Sequence, residues 1–155
     1  MSREVRRVPA DWQHPKYDAE EIRDRPYLNG RFKPLLKNYA RDAEDFLGRA
    51  VEEGLQAALE YYGRAPDRDD YMPEWPEAER THLMMYETTS EGTPISPAFE
   101  TPEELARWLT DNNASAFGAS GATYEQWLAT AKRGWAPSAI VDDHGFRSGV
   151  EAMAS

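Results

Sequence analysis

Glu87 and Glu91 flank three hydroxyl side chains, Thr88, Thr89 and Ser90, directly after the bulky run Leu83-Met84-Met85-Tyr86. The end of a buried strand is where many enzymes place general acids and bases. Assigning one carboxylate as acid and the other as base requires two different environments, which spacing alone does not supply. The same residues suit two other roles: a loop that contacts a partner or ligand, and a turn capped by its own hydroxyls. His14, His82 and His144 lie far apart, without the H-x-x-x-H or H-E-x-x-H spacing that puts two imidazoles on one helix face, so no metal site is expected. His82 reads as a strand residue on the less buried face, and His144 as a turn residue. Ser90, Ser96 and Ser138 are nucleophiles by type, but none stands in a G-x-S-x-G elbow, and no triad is expected. Gly118-Ala119-Ser120-Gly121 runs into a helix start and could offer amides to a phosphate, yet no P-loop lysine follows. No cofactor is expected.

Two further groups of residues suit binding rather than catalysis. Tyr39, Ala43, Phe46, Leu47, Ala50, Val51, Leu55, Ala58, Leu59 and Tyr62 recur at three- and four-residue steps, which predicts one long helix from Asn38 to Tyr62. Asn38 is the expected N-cap, and Gly63 with Pro66 the stop. Gly48 and Gly54 cost about 1 kcal/mol each in a helix interior, so they should admit a close neighbour or a bend. At 100° per residue, Asp42, Asp45, Glu52, Glu53 and Glu60 gather opposite Ala43, Leu47 and Ala50 as an acidic, solvent-facing ridge, with only Arg49 among them. The following loop, Asp67 to Pro76, carries Tyr71 and Trp75. Exposed aromatic rings supply binding anchors at low entropy cost, and the plainer alternative is that both rings tuck back over the core.

The remaining elements position these groups. Leu83 to Tyr86 is too short for a helix and reads as a buried strand spanning Thr81 to Glu87. Thr101-Pro102-Glu103-Glu104 predicts a sharply capped helix, with Thr101 accepting from the N3 amide, Pro102 at N1 and Glu104 returning a bond to the cap; its Leu105, Trp108 and Leu109 share one face. Thr123-Tyr124-Glu125-Gln126 is a second capping box, opening a helix that ends at Gly134 and buries Tyr124, Trp127 and Leu128. Ser138 to Val141 and Phe146 to Val150 read as a hairpin, the last five residues as frayed, and Glu4 to Val8 as an edge strand ended by Pro9. Trp12 should plug the edge of the core. Charges, Pro26, Asn29-Gly30 and Pro34 leave only an ordered loop or short turns between Lys16 and Pro34. The expected fold class is α+β: a small antiparallel or mixed sheet covered by one long helix and two short ones.

A chain of 155 residues is expected to form a single domain, with residues 1–37 partly irregular. It has no cysteine, which excludes disulfides, thiolate catalysis and cysteine-ligated zinc. No apolar run is long enough to span a bilayer, and the first residues lack the apolar core of a secretory signal, so a cytoplasmic location without membrane contact is expected. The net charge of −10 is uneven: residues 1–37 carry nine basic and six acidic groups, and residues 38–80 carry five and twelve. Such a balance repels phosphate backbones, so no direct nucleic-acid binding is expected. An acidic protein can instead dock on a basic groove built for nucleic acid, or the charge can serve solubility alone.

Three blocks, REVRRVPADWQHP at Arg3 to Pro15, YMPEWP with ERTH and MYETTSEGTPISP between Tyr71 and Pro97, and the run from Trp127 to Val141, resemble a family of small uncharacterised proteins of tailed bacteriophages and prophages. The resemblance covers about two-thirds of the chain and skips Lys16 to Asp70. It implies a small phage protein made in the host cytoplasm, many of which bind a host protein, and it brings no catalytic residue or cofactor. With the charge, the expected function is a binding protein that inhibits or redirects a host defence or nucleic-acid-handling complex by occupying its basic surface. The contact residues would be Asp45, Glu52, Glu53, Glu60, Tyr71, Trp75, Glu87 and Glu91. The alternatives are a virion or assembly component working through an oligomeric interface, and a small hydrolase or nucleotide-modifying enzyme using Glu87 and Glu91.

Overall fold

The structure is a computed structural model and describes residues 2–118, 120–137, 139–143 and 145–154. In chain order the elements are β1 (Ser2–Val8), α1 (Ala19–Asp24), α2 (Tyr39–Glu53), α3 (Leu55–Tyr62), β2 (His82–Glu87), β3 (Thr93–Pro94), α4 (Pro102–Asp111), α5 (Tyr124–Arg133), β4 (Trp135–Pro137), β5 (Ala139–Asp142), β6 (Gly145–Ser148) and α6 (Gly149–Ala152). The fold is α+β. It divides into two compact units, a sheet unit formed by Met1–Lys33 with Trp75–Ser155, and a helical unit formed by Pro34–Glu74.

In the sheet unit the antiparallel order is β3-β2-β1-β4, while β5 and β6 pair separately as a two-stranded hairpin. β1 is therefore central, flanked by β2 and β4, and not the edge strand expected for Glu4 to Val8. Two of its three arginines, Arg3 and Arg6, are buried by pairing. Arg3 is 3 % exposed, with Nε donating to the Ser115 carbonyl at 2.9 Å and Nη1 3.7 Å from Glu87. Arg6 is 5 % exposed, donating to Glu4 at 2.8 Å and lying 4.4 Å from the Tyr86 ring centroid. Burial depresses the Arg3 pKa, partly opposed by Glu87, and leaves the guanidinium charged.

Strand alternation then sorts the two faces of the sheet. Val5, paired with Met85, points to the main core, where Met85, Leu105, Leu109, Trp127, Ala131, Ala136 and Val150 are buried together. α4 contributes Leu105, Ala106 and Leu109, and α5 contributes Trp127, Thr130 and Ala131. Trp108, Tyr124 and Leu128 are only half-buried at the edge of this cluster. The Thr123 capping box is complete, at 2.8 and 3.2 Å. At Thr101 the hydroxyl accepts from the Glu104 amide at 3.1 Å, and the return bond from Glu104 does not form. Beyond Ser148 the chain turns into α6, which shortens the expected second strand of the hairpin. Ser138 and His144, which bear on that hairpin, lie outside the described residues.

Between Lys16 and Phe32 the chain forms an isolated antiparallel bridge enclosing α1, opened by a full capping box from Asp18 to Glu21. That D-x-x-E spacing is legible in the sequence and was hidden by the surrounding charges and prolines. Among the described residues, no helix is long and apolar enough to cross a membrane.

The helical unit corrects the expectation of one long helix. Gly54, at φ 97° and ψ 155°, ends α2 and begins α3: its amide donates to the Ala50 carbonyl at 3.0 Å, and its own carbonyl accepts from Ala58 at 3.1 Å. Only glycine takes that conformation without strain. Asn38 makes no side-chain cap. Gly48 is exposed, and a methyl group added there would meet nothing within 4 Å, so no backbone approaches it. The two glycines should thus respond in opposite directions. Gly48→Ala is expected to stabilise α2 by about 0.5–1 kcal/mol, whereas Gly54→Ala should destabilise by about 1 kcal/mol or more. Urea unfolding followed by far-ultraviolet circular dichroism measures both, and equal shifts would contradict the break at Gly54.

Candidate functional site

The helical unit holds the strongest concentration of unbalanced charge. Its 41 residues carry ten acidic and five basic side chains, half of the net charge of −10. Glu44, Asp45, Glu52 and Glu53 line a shallow groove of about 400 Å³ with Gly48, Arg49 and Tyr62. Helical geometry explains the gathering, because 45, 48 and 52 succeed one another at three- and four-residue steps along α2, and the missing side chain of Gly48 opens the floor. Arg49 does not neutralise the whole groove. Its Nη1 donates to Glu53 at 2.7 Å, and its guanidinium carbon lies 3.7 Å from the Tyr61 ring centroid, which holds the cation at one end. The Tyr62 hydroxyl, then Glu53, push its pKa up, so it is a fixed positive charge.

Glu60, expected on the same ridge, lies on α3 beyond the break and is not among the lining side chains. Glu44, which the ridge did not include, is. Beside the groove Leu47, Val51 and Leu55 are 61 %, 85 % and 60 % exposed, although their periodicity placed them with the buried residues. The helical unit buries the arc through Phe46 and half-buries Ala50; Leu47 and Val51 stand about 100° further round the helix. The groove is therefore bordered by an unburied aliphatic stripe.

Tyr71 and Trp75, the two aromatic anchors expected in the loop, are turned inward. Tyr71 is 7 % exposed; its hydroxyl donates to Asp42 at 2.7 Å and its ring meets Tyr39 edge-on at 5.2 Å. Burial, then the bond to Asp42, push the phenol pKa up to about 12. The backbone beside it is tied to Leu36 through Leu36 N–H to Asp70 at 2.9 Å and Met72 N–H to Leu36 at 2.8 Å. Trp75 belongs to the sheet unit, where it packs edge-on against Trp12 at 4.9 Å and is half-buried. Asp42 is likewise engaged by Tyr71 rather than displayed with the ridge.

Glu87 and Glu91 are not brought together as a matched pair. Glu87 is the ion-pair partner of buried Arg3, and Glu91 is exposed in a turn at φ 69°. The hydroxyl residues between them close that turn: Glu91 N–H donates to the Thr88 carbonyl at 3.0 Å, and the Ser90 and Thr93 hydroxyls bond each other. Ser96 accepts from the Met85 amide at 2.9 Å and donates to the Pro97 carbonyl at 2.8 Å. His82 is half-buried, with Nδ1 2.8 Å from the Thr81 hydroxyl. Before α5, the Thr123 hydroxyl occupies the Gln126 amide that a phosphate would use. Ala119, within the glycine-rich segment, lies outside the described residues.

Sequence reasoning missed a buried polar relay in the sheet unit. His14 Nε2 lies 2.5 Å from the Lys33 carbonyl, which can only accept, so Nε2 carries the proton. Nδ1, 2.9 Å from the Tyr86 hydroxyl, must then accept from it. Tyr86 in turn accepts from Trp12 Nε1–H at 3.1 Å, so every polar atom of the chain Trp12–Tyr86–His14 is satisfied. Burial lowers the His14 pKa below 6.5, and nearby Arg6 adds to this against the opposing bond to Lys33. Tyr86, pushed up by burial, stays neutral. The one signal was the pair Trp12 and His14 two positions apart, with Pro15 holding His14 extended.

The relay sets a pH dependence. As pH falls through 6.5 the unfolded chain takes up a proton that folded His14 resists, so this stability is complete above 6.5 and lost as pH falls toward the lower folded pKa. Tyr86→Phe leaves Trp12 Nε1 and His14 Nδ1 without their partner and is expected to cost about 1–3 kcal/mol. It should leave the loss of stability between about pH 7 and about pH 5 in place, because burial, the main cause of the lowered His14 pKa, is unchanged by the substitution. Urea midpoints of the wild type and the variant across that range check both.

No protein-family model, curated protein or solved structure matches the chain.

Proposed function

We propose that the protein is a phage-encoded acidic binding protein that inhibits or redirects a host defence or nucleic-acid-handling complex, and that its helical unit is the element that docks. The observation carrying this reading is the groove of Glu44, Asp45, Glu52 and Glu53 beside exposed Leu47 and Val51. Carboxylates of one sign steer a basic partner and fix register, while an aliphatic stripe supplies the desolvated area that charge alone does not. The partner is accordingly a host protein whose basic surface borders an apolar strip. The resemblance to tailed-phage proteins supports the phage origin and the host cytoplasm as the place of action.

A second reading, a virion or assembly component, is favoured by the same Leu47, Val51 and Leu55, which a second copy could cover. It brings like charges together at the rim, because Glu44 and Glu52 would face their counterparts. Sedimentation of the purified chain separates the two: a monomer at micromolar concentration supports the first reading, and a dimer lost on Val51→Glu supports the second.

Affinity capture from host lysate at low and moderate salt, with identification by mass spectrometry, tests the docking surface. A single stoichiometric partner released by salt is expected, and Asp45→Lys with Glu52→Lys should weaken it at least tenfold, about 1.4 kcal/mol. Glu60→Lys, outside the groove, should matter much less. Unchanged capture by the double variant would exclude the groove.

A further inference from the structure

We propose that the sheet unit carries a binding site for a small, planar, apolar molecule bearing one anionic group. A cavity of about 580 Å³ is walled by Trp12, Phe32, Met84, Ile95, Pro97 and Trp108. Cavities of this size hold compact organic ligands. All of its lining comes from the sheet unit.

The walls are aromatic and held in place. Trp12 is fixed by its bond to Tyr86 and by edge contact with Trp75. Phe32 is fixed by the bridge to Lys16, by Lys33 N–H donating to the Pro15 carbonyl at 2.9 Å, and by the edge of His14 at 5.7 Å. Trp108 rests against Phe99 at 6.3 Å. Fixed rings give a planar body large contact area with little ordering cost on binding.

The buried polar side chains among the walls are already engaged, and the Gln13 amide stands exposed at the rim. Both His14 nitrogens lie in the relay, and the Ser96 hydroxyl both accepts and donates within the sheet unit. Pro94 and Pro97 bring no amide proton. A ligand that needs several hydrogen bonds inside the cavity would leave them unmade, which selects an apolar body. At the rim the exposed Lys16 ammonium lies 5.4 Å from the Phe32 ring centroid, and among the described residues no carboxylate pairs with it. In a chain of net charge −10, a lone cation beside aromatic walls marks where an anionic group would sit.

Anilinonaphthalene sulfonate and its neutral analogue N-phenylnaphthylamine are suitable probes, identical in their aromatic body and different in the anion. With the full chain, both should bind saturably and one-to-one, with energy transfer from tryptophan, and the sulfonate more tightly. Lys16→Gln, at an exposed side chain, should weaken the sulfonate about two- to fivefold and leave the neutral probe unchanged. Ala98→Trp, which fills the cavity, should abolish both. NMR titration of the unmodified chain guards against misfolding of that variant, since amide shifts must centre on Lys16, Phe32 and Ala98. Non-saturable binding, equal response of both probes to Lys16→Gln, or shifts centred elsewhere would overturn the proposal.

Discussion

The antiparallel pairing of β1 with β2, in register from Arg3 opposite Glu87 to Val8 opposite His82, joins segments more than seventy residues apart in the chain. Everything described in the sheet unit follows from that register. It turns Val5 and Met85 together toward the helices, and it sets Glu4 opposite Tyr86, so that Arg6 covers the Tyr86 ring. A slip by one residue would exchange the two faces, taking Val5 out of the main core and driving Arg6 into it. Arg3 and Glu87 act as the lock at one end, because a buried arginine without its carboxylate and the Ser115 carbonyl is far costlier than the pair is favourable.

Charge is handled in two contrasting ways. In the sheet unit, Arg3 and Arg6 are withdrawn from water and engaged by partners, which fixes geometry. In the groove of the helical unit, carboxylates remain in water with one cation pinned among them, which leaves a negative field at the surface. Exposed ion pairs add little stability, so the acidic side chains of α2 contribute little to folding, which accords with the docking role proposed for them. The neutral relay under Trp12 belongs with the first group: its hydrogen bonds have only one consistent direction, and that direction holds the aromatic wall above it.

The legible part of the fold is the part set by local chemistry. Thr123 with Gln126, Gly134 after α5, the bulky run of β2 and the periodicity from Tyr39 onward all act within a few residues, and each appears near its expected place. What escaped depends on distant partners. β1 read as an edge because Val5 and Val8 break strict alternation and Pro9 ends the strand, and nothing nearby reveals that Ser115 and Glu87 await Arg3. Leu47 and Val51 read as buried because periodicity reports an apolar arc without saying how much of it is covered. The candidate groove was half legible: Asp45, Glu52 and Glu53 were placed by helical geometry, while Glu60 was separated by Gly54 and the walls of the cavity come from five separate stretches of chain.

The order in which the chain emerges during synthesis gives the central position of β1 a kinetic side. β1 is made before both its neighbours, and one of them, β4, follows about 130 residues later, roughly 6–25 s at ordinary elongation rates. The helical unit is continuous and lies wholly within that interval, so it can close while β1 still waits for both partners. For those seconds β1 is an unpaired strand whose two valines, Val5 and Val8, are set among Arg3, Arg6 and Arg7. Its charges, a puzzle in the finished sheet, are then what keep the waiting strand soluble.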